Sequence, residues 1–281
     1  MKKFGLIGTG ISQSGSPALF KAAFKGKYAY DLLDGTDFDS LFHTFVRDYS
    51  AVNVTSPFKT AAFEKADEAT DAAELCGAAN MLIKRPDGKI LADNSDFEGV
   101  TMSIMSAYAV SEEDIDILDE DAFSDFLSDK TALVAGCSGA GKAAAAAAVT
   151  MGYGRTILMN RDRSRAEATE KHIRDYFGDV GKDELTVWDM DRFEEAFMEA
   201  DTVIYTIPQA LDCIGKSDFA AGLKKGRKMI LEANYQMPCL EFLRDRCQYV
   251  SGLNWLFNQA VVAYEAFTGE EPDEEAMKKA L

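Results

Sequence analysis

Apolar positions along this chain keep two different rhythms. In the first hundred or so residues, short apolar runs alternate with stretches of helical period. Residues 4–7 and 51–55 read as strands, and residues 17–24, 37–49 and 60–69 as helices. Residues 80–85 and 89–94 flank Pro86-Asp87-Gly88, a turn-forming tripeptide, so they predict a β-hairpin. From residue 131 onward the pattern becomes regular: short apolar runs at 131–135, 156–159, 185–188, 202–207 and 229–233, most of them separated by helix-like stretches. That spacing predicts a parallel, doubly wound α/β sheet. Residues 254–267 read as a closing helix, apolar on one face. The rhythm changes near Thr101 to Ser111, which sets an expected domain of residues 1–105, with 252–281 packing back onto it, and a second domain of 106–251.

Composition narrows the function classes. The net charge of −17 disfavours a nucleic-acid partner, whose phosphates require basic patches. Acid concentrates between Glu112 and Asp129 and again between Glu270 and Glu275, the pattern of solvated faces or mobile surface segments. No apolar run approaches the roughly 20 residues of a spanning helix, so no membrane role and a cytoplasmic location are expected. The five cysteines, Cys76, Cys137, Cys213, Cys239 and Cys247, include no Cys-x-x-Cys pair and read as reduced thiols. His43 and His172 stand alone, which offers neither a metal site nor a Ser-His-Asp arrangement.

Gly136-Cys137-Ser138-Gly139-Ala140-Gly141 follows a strand and opens a helix, the place where a dinucleotide pyrophosphate sits against backbone N–H groups. Ser138 takes the second glycine position of the usual pattern. Gly136, Gly141 and Lys142 also nearly spell a P-loop, but Ala143 has no hydroxyl for magnesium, which argues against an NTPase. An earlier Gly8-Thr9-Gly10 lacks its third glycine, Gln13 standing there, and reads as a decoy. The strand after the glycine loop ends at Asn160-Arg161-Asp162-Arg163, with Arg165 beyond. A neutral residue followed by arginines favours a 2′-phosphate and therefore NADP, whereas Asp162 would suit the free ribose hydroxyl of NAD.

Lys59 closes Asn53-Val54-Thr55-Ser56-Pro57-Phe58-Lys59 and Asp96 closes Asp93-Asn94-Ser95-Asp96. The expectation is a lysine at one strand end and a carboxylate on a hairpin strand, together a proton-transfer pair. With Ser14-Gly15-Ser16-Pro17, Gly77-Ala78-Ala79-Asn80, the glycine loop, Asn160-Arg161 and Gln259, these motifs stand in the order and approximate spacing of shikimate dehydrogenases, which the chain resembles over nearly its whole length.

The resemblance implies an N-terminal α/β substrate domain plus a Rossmann-like NAD(P)-binding domain with a cleft between them that closes on substrate. It also implies reversible reduction of 3-dehydroshikimate, a small cyclic hydroxy acid, with Lys59 and Asp96 as the catalytic pair. Ser14 and Ser16 match the family's carboxylate ligands, Ser16 doubling as a helix N-cap before Pro17. Thr55, Asn80 and Gln259 match hydroxyl-binding residues, and Tyr235 a substrate-side tyrosine. Gly136, Ser138, Gly139, Ala140, Gly141, Asn160, Arg161 and Arg165 are the expected cofactor contacts. Departures occur at Gln13, Ser56, Ser95, Asn254 and Tyr205-Thr206-Ile207-Pro208 beside the nicotinamide. They keep open an NAD-dependent quinate/shikimate dehydrogenase and a catalytically silent paralogue, as monomer or homodimer.

Overall fold

The computed structural model describes residues 2–112, 116–178, 180–181, 184–216, 218–224, 226 and 228–281, so Glu113, Asp114 and Ile115 of the acidic segment lie outside the described residues. The chain divides into two compact units, Met1–Gly99 with Leu256–Leu281, and Val100–Trp255.

The first unit carries β1 (Lys3–Gly8), α1 (Ser16–Ala23), β2 (Ala29–Asp34), α2 (Phe38–Asp48), β3 (Ala51–Val54), α3 (Lys59–Lys65), β4 (Glu68–Ala69), α4 (Asp71–Cys76), β5 (Met81–Lys84), β6 (Ile90–Asp93) and the start of α5 (Ser95–Ser111). Its strands lie in the order β2-β1-β3-β5-β6-β4, with β5 antiparallel to both neighbours and the β1 pairings parallel. Alternation along each strand sorts side chains onto two faces. Val52, Val54 and Leu82 pack on one side with Phe42, Phe45 and Phe58, while Ala51 and Met81 pack on the other with Phe4, Phe20, Tyr264 and Phe267.

The expected hairpin is present. The turn closes with the Gly88 N–H on the Arg85 carbonyl at 3.0 Å, and Gly88 takes φ +91°. The expected helix at 60–69 is shorter: α3 ends at Lys65, because Ala66 turns extended and the Asp67 and Thr70 N–H groups bond the carbonyls of Ile90 and Ala92. Sheet pairing there overrides helical pattern. Thr70 then caps α4, accepting from the Ala73 N–H at 3.3 Å.

The second unit carries α6 (Glu120–Leu127), β7 (Thr131–Ala135), α7 (Gly139–Thr150), β8 (Arg155–Met159), α8 (Arg163–Phe177), β9 (Leu185–Val187), α9 (Phe193–Glu199), β10 (Thr202–Tyr205), β11 (Met229–Glu232) and β12 (Gln248–Ser251); α10 (Gly252–Thr268) and α11 (Glu274–Lys278) follow. All its strand pairings are parallel, in the order β12-β11-β10-β7-β8-β9. Read from β9, this is the doubly wound arrangement in which the first strand is central and the order reverses beside it. The reversal lies between β7 and β10, where such sheets bind ligands outside their carboxyl ends. Ala143 to Ala148 of α7 are all fully buried, and their small size lets the helix lie close on the sheet. Part of the acidic segment is ordered helix rather than a merely solvated run: α6 buries Phe123 and Leu127, with Asp119 accepting from the Ala122 N–H as its cap.

Among the described residues no helix is long and apolar enough to cross a membrane, and no cluster of His, Cys, Asp or Glu suits a metal ion. All five cysteines are free thiols.

Lys228, just before β11, is only 5 % exposed, with its ammonium 5.3 Å from the centre of the Phe197 ring. Burial pushes it down to about 8, with the Asp201 charge opposing. The unfolded chain therefore binds more protons than the folded one between about pH 8 and about 10.4, and stability rises with pH across that window. Replacing Lys228 by Met should raise stability at pH 7 by on the order of 2 kcal/mol and abolish the rise between pH 8 and 10, measured as thermal midpoints at both ends of the window.

Candidate active site

In the first unit, a chain of backbone and amide hydrogen bonds brings Lys59 to Asp96. Lys59 is the first residue of α3, entered through a turn in which the Phe58 N–H bonds the Thr55 carbonyl at 3.0 Å; the Ser56–Pro57 peptide within it is cis. The Ala79 N–H holds the Lys59 carbonyl at 2.8 Å. One residue back, the Ala78 carbonyl accepts from the Asn94 amide at 2.8 Å, and Asn94 Oδ1 accepts from the Asp96 N–H at 3.1 Å. Asn94 thus acts as a cap for α5, and Asp96 sits in that helix's first turn. The carboxylate is not on a hairpin strand as expected, because β6 ends at Asp93. Lys59 Nζ donates to Asp96 Oδ2, with side chains 12 % and 3 % exposed, which removes this pair from the class of screened surface ion pairs.

Asn80 closes the other side. Its Oδ1 accepts from the Ser95 N–H at 2.8 Å, and its amide nitrogen donates to Ser95 Oγ at 3.1 Å and to Gln259 Oε1 at 3.0 Å. Gln259 comes from α10, and since its Oε1 accepts from Asn80, its own amide N–H groups point their donor capacity elsewhere. Asn94 and Ser95 are fully engaged in this scaffold. In the sequence they count as part of the Asp93 to Asp96 motif with no role of their own, and a cap preceding a helix was the signal available for them.

Glu98 is a further group. Burial, helped by the charges of Asp93 and Asp96, pushes its carboxyl up to about 7, and its Oε2 is buried with no partner among the described residues. Around neutrality Glu98 therefore exchanges a proton, two residues along α5 from Asp96.

Ser14 and Ser16 lie together, with Ser14 Oγ donating to Ser16 Oγ at 3.2 Å and accepting from the Ser16 N–H at 3.3 Å. Ser16 is not the N-cap: that position belongs to Gly15, and Ser16 is the first helical residue, with Pro17 following. The two hydroxyls still gather at one helix start, the end of a helix that carries positive potential. Thr55 is packed so that a Cβ on Gly8 would meet its Cγ2 at 2.5 Å, which explains a glycine at the end of β1.

In the second unit the glycine loop is built on close approach. Gly136 takes φ +100°, and a Cβ there would meet Thr206 Oγ1 at 2.4 Å. A Cβ on Gly141 would meet the Gly136 carbonyl oxygen at 1.9 Å. These two glycines allow the tight turn and the helix-to-strand contact, and Ser138, exposed at the N-cap of α7 with no capping bond from its side chain, leaves the first-turn N–H groups of Gly139, Ala140 and Gly141 to an anion. The cradle fits a dinucleotide pyrophosphate. Asn160 braces it, accepting from the Cys137 N–H at 3.1 Å and donating to the Asp162 carbonyl at 2.8 Å.

Beyond β8, Asp162 is the cap of α8, its Oδ1 accepting from the Ser164 N–H at 3.2 Å and hydroxyl at 2.6 Å. Arg163 is taken by Glu167 and Asp189, Arg165 remains largely exposed 3.6 Å from Asp162, and Arg161 donates to Gln209 Oε1 at 3.3 Å. Tyr235, half-buried, follows Glu232, whose fully buried carboxylate accepts from the Leu240 N–H at 3.0 Å, the Tyr249 hydroxyl at 2.8 Å and the Cys239 N–H.

Residues 6–82 match the shikimate dehydrogenase substrate binding domain, and residues 252–281 match the shikimate 5′-dehydrogenase C-terminal domain. A shikimate dehydrogenase (NADP(+)) of Cereibacter sphaeroides is 31% identical over 281 aligned residues, covering 96% of this chain and 92% of that protein. Among solved structures, a shikimate 5-dehydrogenase from Mycobacterium fortuitum has a TM-score of 0.75 at 28% identity, covering 100% of this chain and 97% of that one. Quinate dehydrogenase from Corynebacterium glutamicum, in complex with NAD, has a TM-score of 0.79 at 23% identity over 99% of this chain and 98% of that one, a likeness of fold. At 31% identity over an alignment that covers 96% of this chain, and so reaches into both units, the chain belongs to the shikimate dehydrogenase family.

Proposed function

We propose that the chain is an NADP-dependent shikimate dehydrogenase, reversibly reducing 3-dehydroshikimate to shikimate. The observation that carries this reading is the buried Lys59–Asp96 pair inside its amide scaffold. Interconverting a secondary alcohol and a ketone moves a proton at the oxygen while a hydride moves at the carbon. Lys59 Nζ is the group that gives or takes that proton. Asp96 orients the ammonium and accepts from a substrate hydroxyl. Gln259, its Oε1 engaged by Asn80, offers amide N–H groups to a second hydroxyl, and Ser14, Ser16 and the start of α1 receive the carboxylate. Thr55 and Tyr235 are the remaining substrate-side contacts in this reading.

Gly136, Ser138, Gly139, Ala140 and Gly141 hold the pyrophosphate, and Asn160 keeps their loop closed. When bound, the nicotinamide supplies the hydride chemistry that no side chain can. NADP is favoured over NAD because the strand-end residue Asn160 is neutral and spends its side chain on the loop itself, while Arg161 and Arg165 stand at the same strand end with guanidinium donors for a 2′-phosphate; Asp162 divides its oxygens between the Ser164 cap and Arg165, 3.6 Å away.

Steady-state rates crossing NADP and NAD with shikimate and quinate should give the highest kcat/KM for NADP with shikimate; a higher value for NAD with either acid overturns the cofactor assignment. Replacing Lys59 by Ala should lower kcat by roughly 10²- to 10⁴-fold, the usual scale of general acid–base catalysis, while KM for shikimate moves little. An equal loss in kcat and in shikimate affinity would instead make Lys59 a binding residue.

A further inference from the structure

The loop after β10 is fastened at several points. Tyr205, fully buried at the end of that strand, donates its hydroxyl to the Gln209 carbonyl at 2.7 Å. The neighbouring Pro208 carbonyl accepts from the Asn234 amide at 3.1 Å, and Asn234 is itself held by the Met237 N–H at 3.2 Å. At the loop's start Thr206 Oγ1 donates to the carbonyls of Ala135 and Gly136 at 3.0 and 3.2 Å. The backbone of Gln209 is therefore fixed relative to the glycine loop, and its side chain reaches Arg161 across the carboxyl ends of β7 and β8. Tyr205 is one of the residues at which this chain departs from its family's pattern, so the fastening answers a feature of this sequence.

We infer that Gln209, held in place by Tyr205, is a positioning residue that presents Arg161 to the 2′-phosphate of the dinucleotide and so sets the cofactor preference; this rests on the NADP reading above. The chemistry favours a neutral acceptor here. An amide oxygen restrains one Nη1 donor of a side chain that otherwise samples many rotamers, and it leaves the guanidinium its full charge and the rest of its donor fork for an anion. A carboxylate at the same point would hold the arginine as well but would compete with the phosphate for it.

The test is calorimetric binding of 2′,5′-ADP and of 5′-AMP to the full chain and to Arg161→Ala, Gln209→Ala, Gln209→Glu and Tyr205→Phe. Gln209→Ala should weaken 2′,5′-ADP roughly five-fold relative to 5′-AMP, the scale of one ordinary hydrogen bond lost. Gln209→Glu should weaken it further, and Tyr205→Phe should shift the ratio in the same direction. Binding of 5′-AMP reports whether each variant keeps its nucleotide fold, and a general structural defect lowers both affinities together. If Arg161→Ala lowers the ratio and neither Gln209 variant does, the positioning role is overturned while the NADP reading stands. If the unmodified chain binds 2′,5′-ADP no better than 5′-AMP, the NADP reading falls with it.

Discussion

Everything proposed for the first unit depends on where the Lys59 carbonyl is held. A lysine opening one helix and an aspartate opening another meet because the Gly77–Asn80 segment bonds both helix starts, Ala79 taking the Lys59 carbonyl and Ala78 taking the Asn94 amide. Gly77 makes that segment possible by adopting φ +55° at the end of α4, a conformation most side chains resist. The buried groups are satisfied by one another: Asn80, Asn94, Ser95 and Asp96 are each at most 2 % exposed, and each has a partner inside the unit. In a low-dielectric setting such a network is stiff when complete and costly when one member is missing. A single amide substitution there would move the lysine and the carboxylate together.

The second unit solves a different problem with a similar economy of atoms. Its nucleotide loop tolerates a serine where a glycine is usual because the two positions at which a Cβ cannot be accommodated, Gly136 and Gly141, are both glycines. The middle position faces outward, so Ser138 costs little there. The unusual strand end at Tyr205 is likewise compatible with the fold, since its ring joins the core beside Phe193 and its hydroxyl finds a carbonyl.

Much of this was legible from residue pattern, and the failures share a physical cause. The central strands of both sheets, β1, β3, β7, β8 and β10, are buried and read as apolar runs. The unread strands, β2, β4 and β12, are the outermost of their sheets, where Ala29–Asp34 buries only Leu33, Gln248–Ser251 only Val250 and Glu68–Ala69 neither residue. Half-covered strands admit polar residues and lose their signature. The Lys59 and Asp96 pairing followed from motifs, but their helical settings did not, because a helix start of Ser-Asp or Lys-Thr carries no apolar period. Gln209 was invisible for a different reason: its significance lies in an acceptor position defined by three other strand ends.

The first unit is also discontinuous in sequence, Leu256–Leu281 returning to it after the whole of Val100–Trp255. Phe267, Tyr264 and Met277 complete one face of its sheet, and Gln259 completes the hydrogen bonding of Asn80. During synthesis, then, the first unit cannot complete its core until the second has been made. The second unit has every strand of its sheet before residue 252, and it can close while the first still lacks a wall of its core. Aromatic side chains of β1 and α1 stay uncovered on one face until Leu256–Leu281 packs against them. The core of the first unit thus depends on residues that lie on the far side of the second unit in sequence, and removing Leu256–Leu281 would strip one face of its sheet.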